Sequence, residues 1–300
     1  MIGFLAPGQG SQTPGMLAEW LELPGAADRI AAWSQISGLD LAQLGTTATA
    51  EEITDTAITQ PLVVATTLLA HAELAKRGLP ADVVVAGHSV GEIAAYAIAG
   101  VISPEDAVKL AAVRGAGMAK ACAAEATGMS AVLGGDEAEV LARLEALELI
   151  PANRNAAGQI VAAGTVAALE KLAEDPPAKA RVRQLATAGA FHTHYMASAL
   201  DGYAAAAAEV SVADPTTMLL SNVDGQPVTS GADAMEKLVA QMTRPVRWDL
   251  CTETMRTHGI TAIVEFPPAG ALTGIAKREL RGVATHAVKT PADLDGLSGI

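Results

Sequence analysis

The sequence predicts an α/β protein: a large domain on a parallel sheet, with a smaller subdomain inserted into it. Three observations predict this. Short apolar runs at residues 2–6 and 83–86 carry no charge on either face, the pattern of central parallel strands covered by helices on both sides. Segments with apolar residues at helical spacing, at 60–77, 90–99 and from 104 onward, alternate with those runs. Between residues 128 and 191 the pattern changes to strand, helix, strand, strand, helix, strand. A chain of 300 residues, half of them hydrophobic, is large enough to bury a self-supporting core.

The elements follow in order. Pro7-Gly8 stops the first strand. The helix over 60–77 ends at Gly78-Leu79-Pro80. Val83-Val84-Val85-Ala86 is the second strand, and a helix over 90–99 stops at Gly100. Ser103-Pro104-Glu105-Asp106 opens the next helix, with Ser as cap, Pro at the first helical position and acids in the first turn. The inserted unit reads as a strand at 129–133, a helix at 137–147, a hairpin of 150–155 and 159–163 around Ala157-Gly158, a helix at 166–173 and a strand at 181–186. That order is the split βαβ, ferredoxin-like pattern. It sets a small subdomain at 128–191, inside a large domain of 1–127 and 192–300. Further strands are predicted at 218–222, 262–266 and 286–288, the alanine run at 204–208 as a half-buried helix, and the tail after Thr290 as loosely held.

Composition excludes several functions. Net charge is −13, so a phosphate backbone is repelled, and aromatics at 3% leave no stacking platform for bases. No nucleic-acid partner is expected. Gly, Pro or charge interrupts the apolar stretches before they reach membrane-spanning length, so no membrane partner is expected either. The N-terminus lacks the basic region of a signal peptide, and Cys122 and Cys251 form no CxxC pair. Both fit a cytoplasmic protein with reduced thiols, expected to be monomeric.

Gly87-His88-Ser89-Val90-Gly91 is the most informative segment. It follows a strand and precedes a helix, the setting of the G-x-S-x-G nucleophile elbow of an α/β-hydrolase-like domain. The turn lifts the serine hydroxyl out of the sheet, and the N–H of Val90 at the helix start can meet a developing oxyanion. A serine hydroxyl needs a base. Of His71, His88, His192, His194, His258 and His286, the loop residue His192 after Gly189-Ala190-Phe191 is favoured, with His194 its neighbouring competitor. No acidic residue has an obvious claim to orient the base.

Taken together the motifs resemble the malonyl-CoA:acyl carrier protein transacylases and the related acyltransferase domains of polyketide synthases. The matching segments run in order along nearly the whole chain: Pro7-Gly8-Gln9-Gly10-Ser11-Gln12, Thr59-Gln60-Pro61, Gly87 to Gly91 with Glu92, Arg114 in a helix continuing to Met118, Asn153 and Asn155 with Gly158-Gln159, Gly189-Ala190-Phe191-His192, and Gln241 before Pro245-Val246-Arg247-Trp248. The resemblance implies Ser89 as nucleophile, His192 as general base, and the N–H groups of Gln9 and Val90 as the oxyanion hole. It implies Arg114 as the holder of the malonyl carboxylate, which a guanidinium grips with two parallel bonds. A backbone carbonyl at Gln241 would orient the base. Gln60, Met118, Asn155 and Phe191 are pocket candidates, and Phe191 beside His192 resembles the loop version that accepts malonyl.

The implied reaction uses malonyl-CoA and the phosphopantetheine thiol of acyl carrier protein as substrates, with no metal or other cofactor. A serine thioesterase or esterase on a related elbow is the alternative, as is a non-catalytic docking subunit of the same fold. Acyl carrier proteins are usually acidic, so docking on this acidic chain calls for a local basic patch. Lys179, Arg181 and Arg183 form one candidate cluster and Lys277, Arg278 and Arg281 another; either is equally a solvated face.

Overall fold

The computed structural model describes residues 1–78, 80 and 82–297. Strand β1 (Ile2–Ala6) is buried throughout. Helices α1 (Ala26–Ser37) and α2 (Leu41–Thr46) lead to α3 (Thr56–Arg77). α3 starts a turn before residue 60 because the Asp55 carboxylate accepts from Ala57 N, a capping signal that apolar periodicity does not reveal. Gly78 closes it at φ +96°; Leu79 of the predicted stop signal lies outside the described residues. Then come β2 (Val83–Gly87), α4 (Gly91–Ile98) with Val90 as its cap, and α5 (Pro104–Cys122), where the Ser103 hydroxyl accepts from Asp106 N as the sequence predicts.

The inserted unit contains β3 (Thr127–Gly134), α6 (Glu137–Ala146), β4 (Ile150–Ala156), β5 (Gln159–Thr165), α7 (Val166–Glu174) and β6 (Ala180–Gln184). The chain returns through α8 (Ala197–Ala208), β7 (Met218–Leu219), α9 (Gly231–Ala240), α10 (Trp248–Thr257), β8 (Ala262–Glu265), α11 (Ala271–Glu279) and β9 (Ala284–Ala287). β7 is shorter than the predicted 218–222 because the chain turns back at Ser221, whose N–H reaches Gln226 O. The tail departs from expectation. Pro291–Leu297 forms 3₁₀ turns with Leu294 and Leu297 buried, and Asp293 accepts from the N–H groups of Lys289 and Thr290; residues 298–300 lie outside the described residues.

The first sheet runs β7-β2-β1-β8-β9, every neighbouring pair parallel. Ala6 pairs with Gly87 and Leu5 with Glu265, so the carboxyl ends of the central strands are flush. The loops leaving β1, β2, β7 and β8 therefore meet at one edge, where open parallel sheets bind ligands. Side chains alternate across the sheet: Phe4, Val85 and Val264 enter the core shared with α3, α4 and α5, whereas Leu5, Val84 and Ile263 face Trp248 and Leu272. The second sheet is antiparallel, order β4-β5-β3-β6, with Val140 of α6 and Leu172 of α7 packed in one core with Val132 and Ile160 of the sheet. Backbone bonds join the two units: Arg154 N donates to Val246 O at 2.9 Å and Val246 N to Ala152 O at 2.8 Å. Among the described residues no helix is long and apolar enough to cross a membrane.

Candidate active site

Ser89 follows β2 in the left-handed region, at φ +55°. Such backbone costs a non-glycine residue roughly 1–3 kcal/mol and persists only where its surroundings impose it. Here they do. A Cβ at Gly87 would stand 2.0 Å from Gly91 O, and one at Gly91 2.2 Å from Ala6 O, so only glycine allows strand, turn and helix to close on one another. The loop after β1 packs against the same turn, since a Cβ at Gly8 would lie 2.8 Å from His88 O. That brings Gln9 beside Val90. Among the described residues, the backbone N–H groups of Gln9 and Val90 donate to no acceptor. The Gln9 side chain is anchored on Thr56 Oγ1 at 3.1 Å.

His192 is likewise left-handed, at φ +59°. Its loop is pinned by Ala190 N donating to Thr127 Oγ1 and by Thr193 Oγ1 donating to Ala190 O. His192 Nδ1 lies 2.8 Å from Gln241 O, and a carbonyl only accepts, so Nδ1 carries the hydrogen. Nε2 is then the acceptor, 2.7 Å from Ser89 Oγ. Burial, then the charge of Arg114, pushes the His192 pKa down to about 3, while the Gln241 carbonyl acts in the opposite sense. The ring is thus neutral at neutral pH, with Nε2 as its accepting nitrogen. Gln241 stands in a 3₁₀ turn following α9, where its carbonyl is held at this angle.

Arg114 is buried within α5, with a side chain 1% exposed. Nη1 donates to Gln60 Oε1 and Nη2 to Gln241 Oε1, both at 2.8 Å, and Nη2 lies 3.5 Å from Ser89 Oγ. Its Nε is buried without an acceptor among the described residues, so the guanidinium keeps donors in hand. Gln60 also donates to Met118 Sδ at 3.3 Å, which ties two of the pocket candidates to the guanidinium. Phe191 belongs to the main core, immediately before His192.

Asn155 makes no hydrogen bond to this cluster among the described residues: its Oδ1 is 2.9 Å from His88 Nε2, and the His88 ring also packs on Trp248. His194, the competitor of His192, is exposed against Tyr195, and His71 packs between Phe4 and Phe266. His258 ends α10 and His286 lies on β9.

The acyl transferase domain model matches residues 3–292. The chain belongs to the acyl transferase family. A malonyl CoA-acyl carrier protein transacylase of Mycolicibacterium smegmatis is 79% identical over 94% of this chain and 99% of the relative. The crystal structure of MCAT from Mycobacterium tuberculosis is 74% identical, with a TM-score of 0.97 over the full length of both chains. A malonyl-transacylase solved in complex with its type II PKS acyl-carrier protein superimposes with a TM-score of 0.93 at 30% identity, over 98% of this chain and 97% of that one.

Two residues of this acyl transferase were not singled out from sequence for a role in the site. Glu92, in the first turn of α4, is completely buried. Its carboxylate accepts from Asn222 N at 2.6 Å and from Gln241 Nε2 at 2.5 Å; burial pushes its pKa up to about 7 against those bonds and the charge of Arg114. Asn222, just past β7, accepts from Ser89 N at 2.8 Å and donates to Gly87 O at 2.7 Å. A signal for Glu92 was present, since it is the one charge in the segment 90–99. Asn222 gave none, as polar residues past strand ends are commonplace.

Proposed function

We propose that this chain transfers malonyl groups from coenzyme A to the phosphopantetheine thiol of acyl carrier protein, in fatty acid or polyketide biosynthesis, through a malonyl-Ser89 ester. One observation carries it: a buried guanidinium stands 3.5 Å from a serine hydroxyl that is itself bonded to a neutral histidine. A hydrolase of simple esters has no use for a cation at that place, whereas a malonyl thioester ends in a carboxylate. Segment 87–91 then serves as the nucleophile elbow of an α/β-hydrolase-like large domain, 1–127 with 192–300, and 128–191 as a ferredoxin-like subdomain forming one wall.

In the first half-reaction Ser89 Oγ passes its proton to His192 Nε2 and attacks the thioester carbonyl. The tetrahedral oxyanion is met by the N–H groups of Gln9 and Val90. The C–S bond breaks, and the coenzyme A thiolate takes the proton from Nε2. The ester waits with its carboxylate on Arg114. The carrier thiol then gives its proton to Nε2 and attacks, and the collapse returns the proton to Oγ. Gln241 O holds the imidazole through Nδ1 in both halves. The chain's own side chains balance every bond exchange, and the proposal includes no metal or other cofactor and a cytoplasmic monomer.

Intact mass after mixing with malonyl-CoA tests this. The wild-type chain is expected to gain one malonyl group, lost on adding carrier protein with a free phosphopantetheine thiol, and Ser89→Ala to gain nothing. Rapid release of free malonate without a labelled protein would point to a hydrolase, and a folded wild type that never labels would sink the transferase assignment.

A further inference from the structure

Glu92 touches neither Ser89 nor Arg114 by hydrogen bond, yet it determines which way the groups around both are turned. Where Glu92 is ionised its two oxygens only accept, and the amide of Gln241 presents Nε2 to it, at 2.5 Å. That fixes Gln241 Oε1 on the opposite side, where it accepts from Arg114 Nη2 at 2.8 Å. The same Nε2 also reaches Ser89 O at 3.0 Å, tying the amide to the backbone of the turn. The other Glu92 oxygen holds Asn222 N, and Asn222 in turn holds Ser89 N and Gly87 O. An amide has two chemically opposite ends of nearly equal shape, and nothing in the Gln241 side chain selects between them. The carboxylate behind it makes the shortest of the bonds that select, with Ser89 O accepting from the same Nε2 and Arg114 Nη2 donating to Oε1.

We propose that Glu92 is a positioning residue for substrate choice: through the amide of Gln241 it aims the Arg114 guanidinium, and so sets the preference for acyl groups that end in a carboxylate. This rests on the transferase function above. With Glu92→Gln, one side-chain oxygen must serve two donors, Asn222 N and Gln241 Nε2. If it keeps Asn222, its new amide N–H₂ faces Gln241 Nε2, and Gln241 turns over. Its own N–H₂ then points at the cation, and Arg114 loses an acceptor and shifts. If it keeps Gln241, Asn222 N is orphaned, and the backbone beside Ser89 is released. Both arrangements disturb the pair: a turned Gln241 also sets its Oε1 against the Ser89 carbonyl, and an unturned one leaves Asn222 N, beside Ser89, without its acceptor.

The test is the second-order rate of Ser89 acylation by malonyl-CoA and by acetyl-CoA, read by quenched-flow mass spectrometry on wild type, Glu92→Gln, Gln241→Ala and the double variant. Glu92→Gln is expected to lower the malonyl-to-acetyl ratio by about 10- to 100-fold, the effect of one orphaned buried donor. Because Glu92 acts through Gln241, adding Glu92→Gln to Gln241→Ala is expected to change that ratio by no more than about threefold. A purely structural role would depress both substrates alike. A Glu92→Gln ratio equal to wild type, or losses that multiply in the double variant, would overturn the proposal. So would a Glu92→Gln chain that does not fold, since the isosteric amide keeps the packing and the effect belongs to substrate choice. A wild type that is not acylated by malonyl-CoA would instead remove the transferase function, a distinct outcome.

Discussion

Replacing Arg114 by Ala separates substrate recognition from chemistry. In the free site two guanidinium N–H groups are engaged by Gln60 Oε1 and Gln241 Oε1, while Nε has no partner among the described residues. The remaining donors can grip a carboxylate with two charge-assisted bonds, each worth about 1.5–3 kcal/mol. Losing both removes about 3–6 kcal/mol, or roughly 10²- to 10⁴-fold in acylation rate. The substitution also leaves two amide oxygens unpaired and opens a cavity beside Ser89, which harms any acyl donor. The informative quantity is therefore a ratio: acylation by malonyl-CoA over acylation by acetyl-CoA, on the same variant. That ratio is expected to fall by about 10²- to 10⁴-fold, with acetyl transfer accepted relatively better. Single-turnover labelling of Ser89 with both thioesters measures it. A ratio within about fivefold of wild type, the equivalent of about 1 kcal/mol, would refute Arg114 as the carboxylate's holder.

Three further outcomes follow from other parts of the molecule. Gly91→Ala, whose Cβ would meet Ala6 O at 2.2 Å, is expected to destabilise the fold by more than about 4 kcal/mol, and an unchanged urea midpoint would contradict the close packing of the turn. Acidification is expected to weaken the fold. The pKa of His192 lies at about 3 and that of His71 at about 4, both below 6.5, so from pH 6.5 down to about 4 the unfolded chain binds protons that the folded chain does not. Glu92, raised from 4.5 to about 7, opposes them between those values, because there the folded chain holds the extra proton. With His88 also lowered by burial, the histidines prevail, and chemical denaturation at pH 7 and pH 5 that showed greater stability at pH 5 would reverse the sign argued here. Finally, Arg181 and Arg183 are exposed on the edge strand β6, and Lys277 and Arg281 are exposed on and after α11, all without ion-pair partners among the described residues. Charge reversal at the pair that receives the carrier protein is expected to raise its KM and leave malonyl-CoA kinetics unchanged, and if neither reversal does so, no basic patch guides docking.

What the sequence reveals and what it hides have separable physical causes. The parallel strands, the capped α5 and the order of the inserted unit were legible because apolar periodicity, Ser103-Pro104 and turn glycines act locally. The Ser89 turn was legible because two glycines at fixed spacing have few other uses. The start of α3 was not, since one carboxylate at Asp55 decided it. The buried tail was missed because Leu294 and Leu297 gain their partners only from the assembled core. The Asn155 contact was hidden for a similar reason: its partner, His88, is 67 residues away and comes within reach only when the two sheets join. Glu92 and Asn222 come together from α4 and the end of β7, at the edge where the parallel strands terminate, and no spacing in the chain records that.

On the proposed mechanism the base is oriented by a carbonyl, not a carboxylate, and the choice suits transfer between thiols. Gln241 O stabilises an imidazolium less than an anion would, and Arg114 opposes the same charge, so His192 is a weak base. A weak base discriminates. A thiol titrates near about 8.5 and water near about 15.7, so the carrier thiol yields its proton to such a base far more readily than water does. Serine is nearly as poor a proton donor as water, but Oγ is fixed 2.7 Å from Nε2, and that placement offsets the deficit. Once the malonyl carboxylate lies on Arg114, part of the charge that depresses His192 is cancelled, and the base strengthens when the matching acyl group is present. Acetyl brings no carboxylate and leaves the base suppressed. On that mechanism the cation proposed to recognise the substrate also governs the proposed base, and selection and reactivity are coupled through one buried charge.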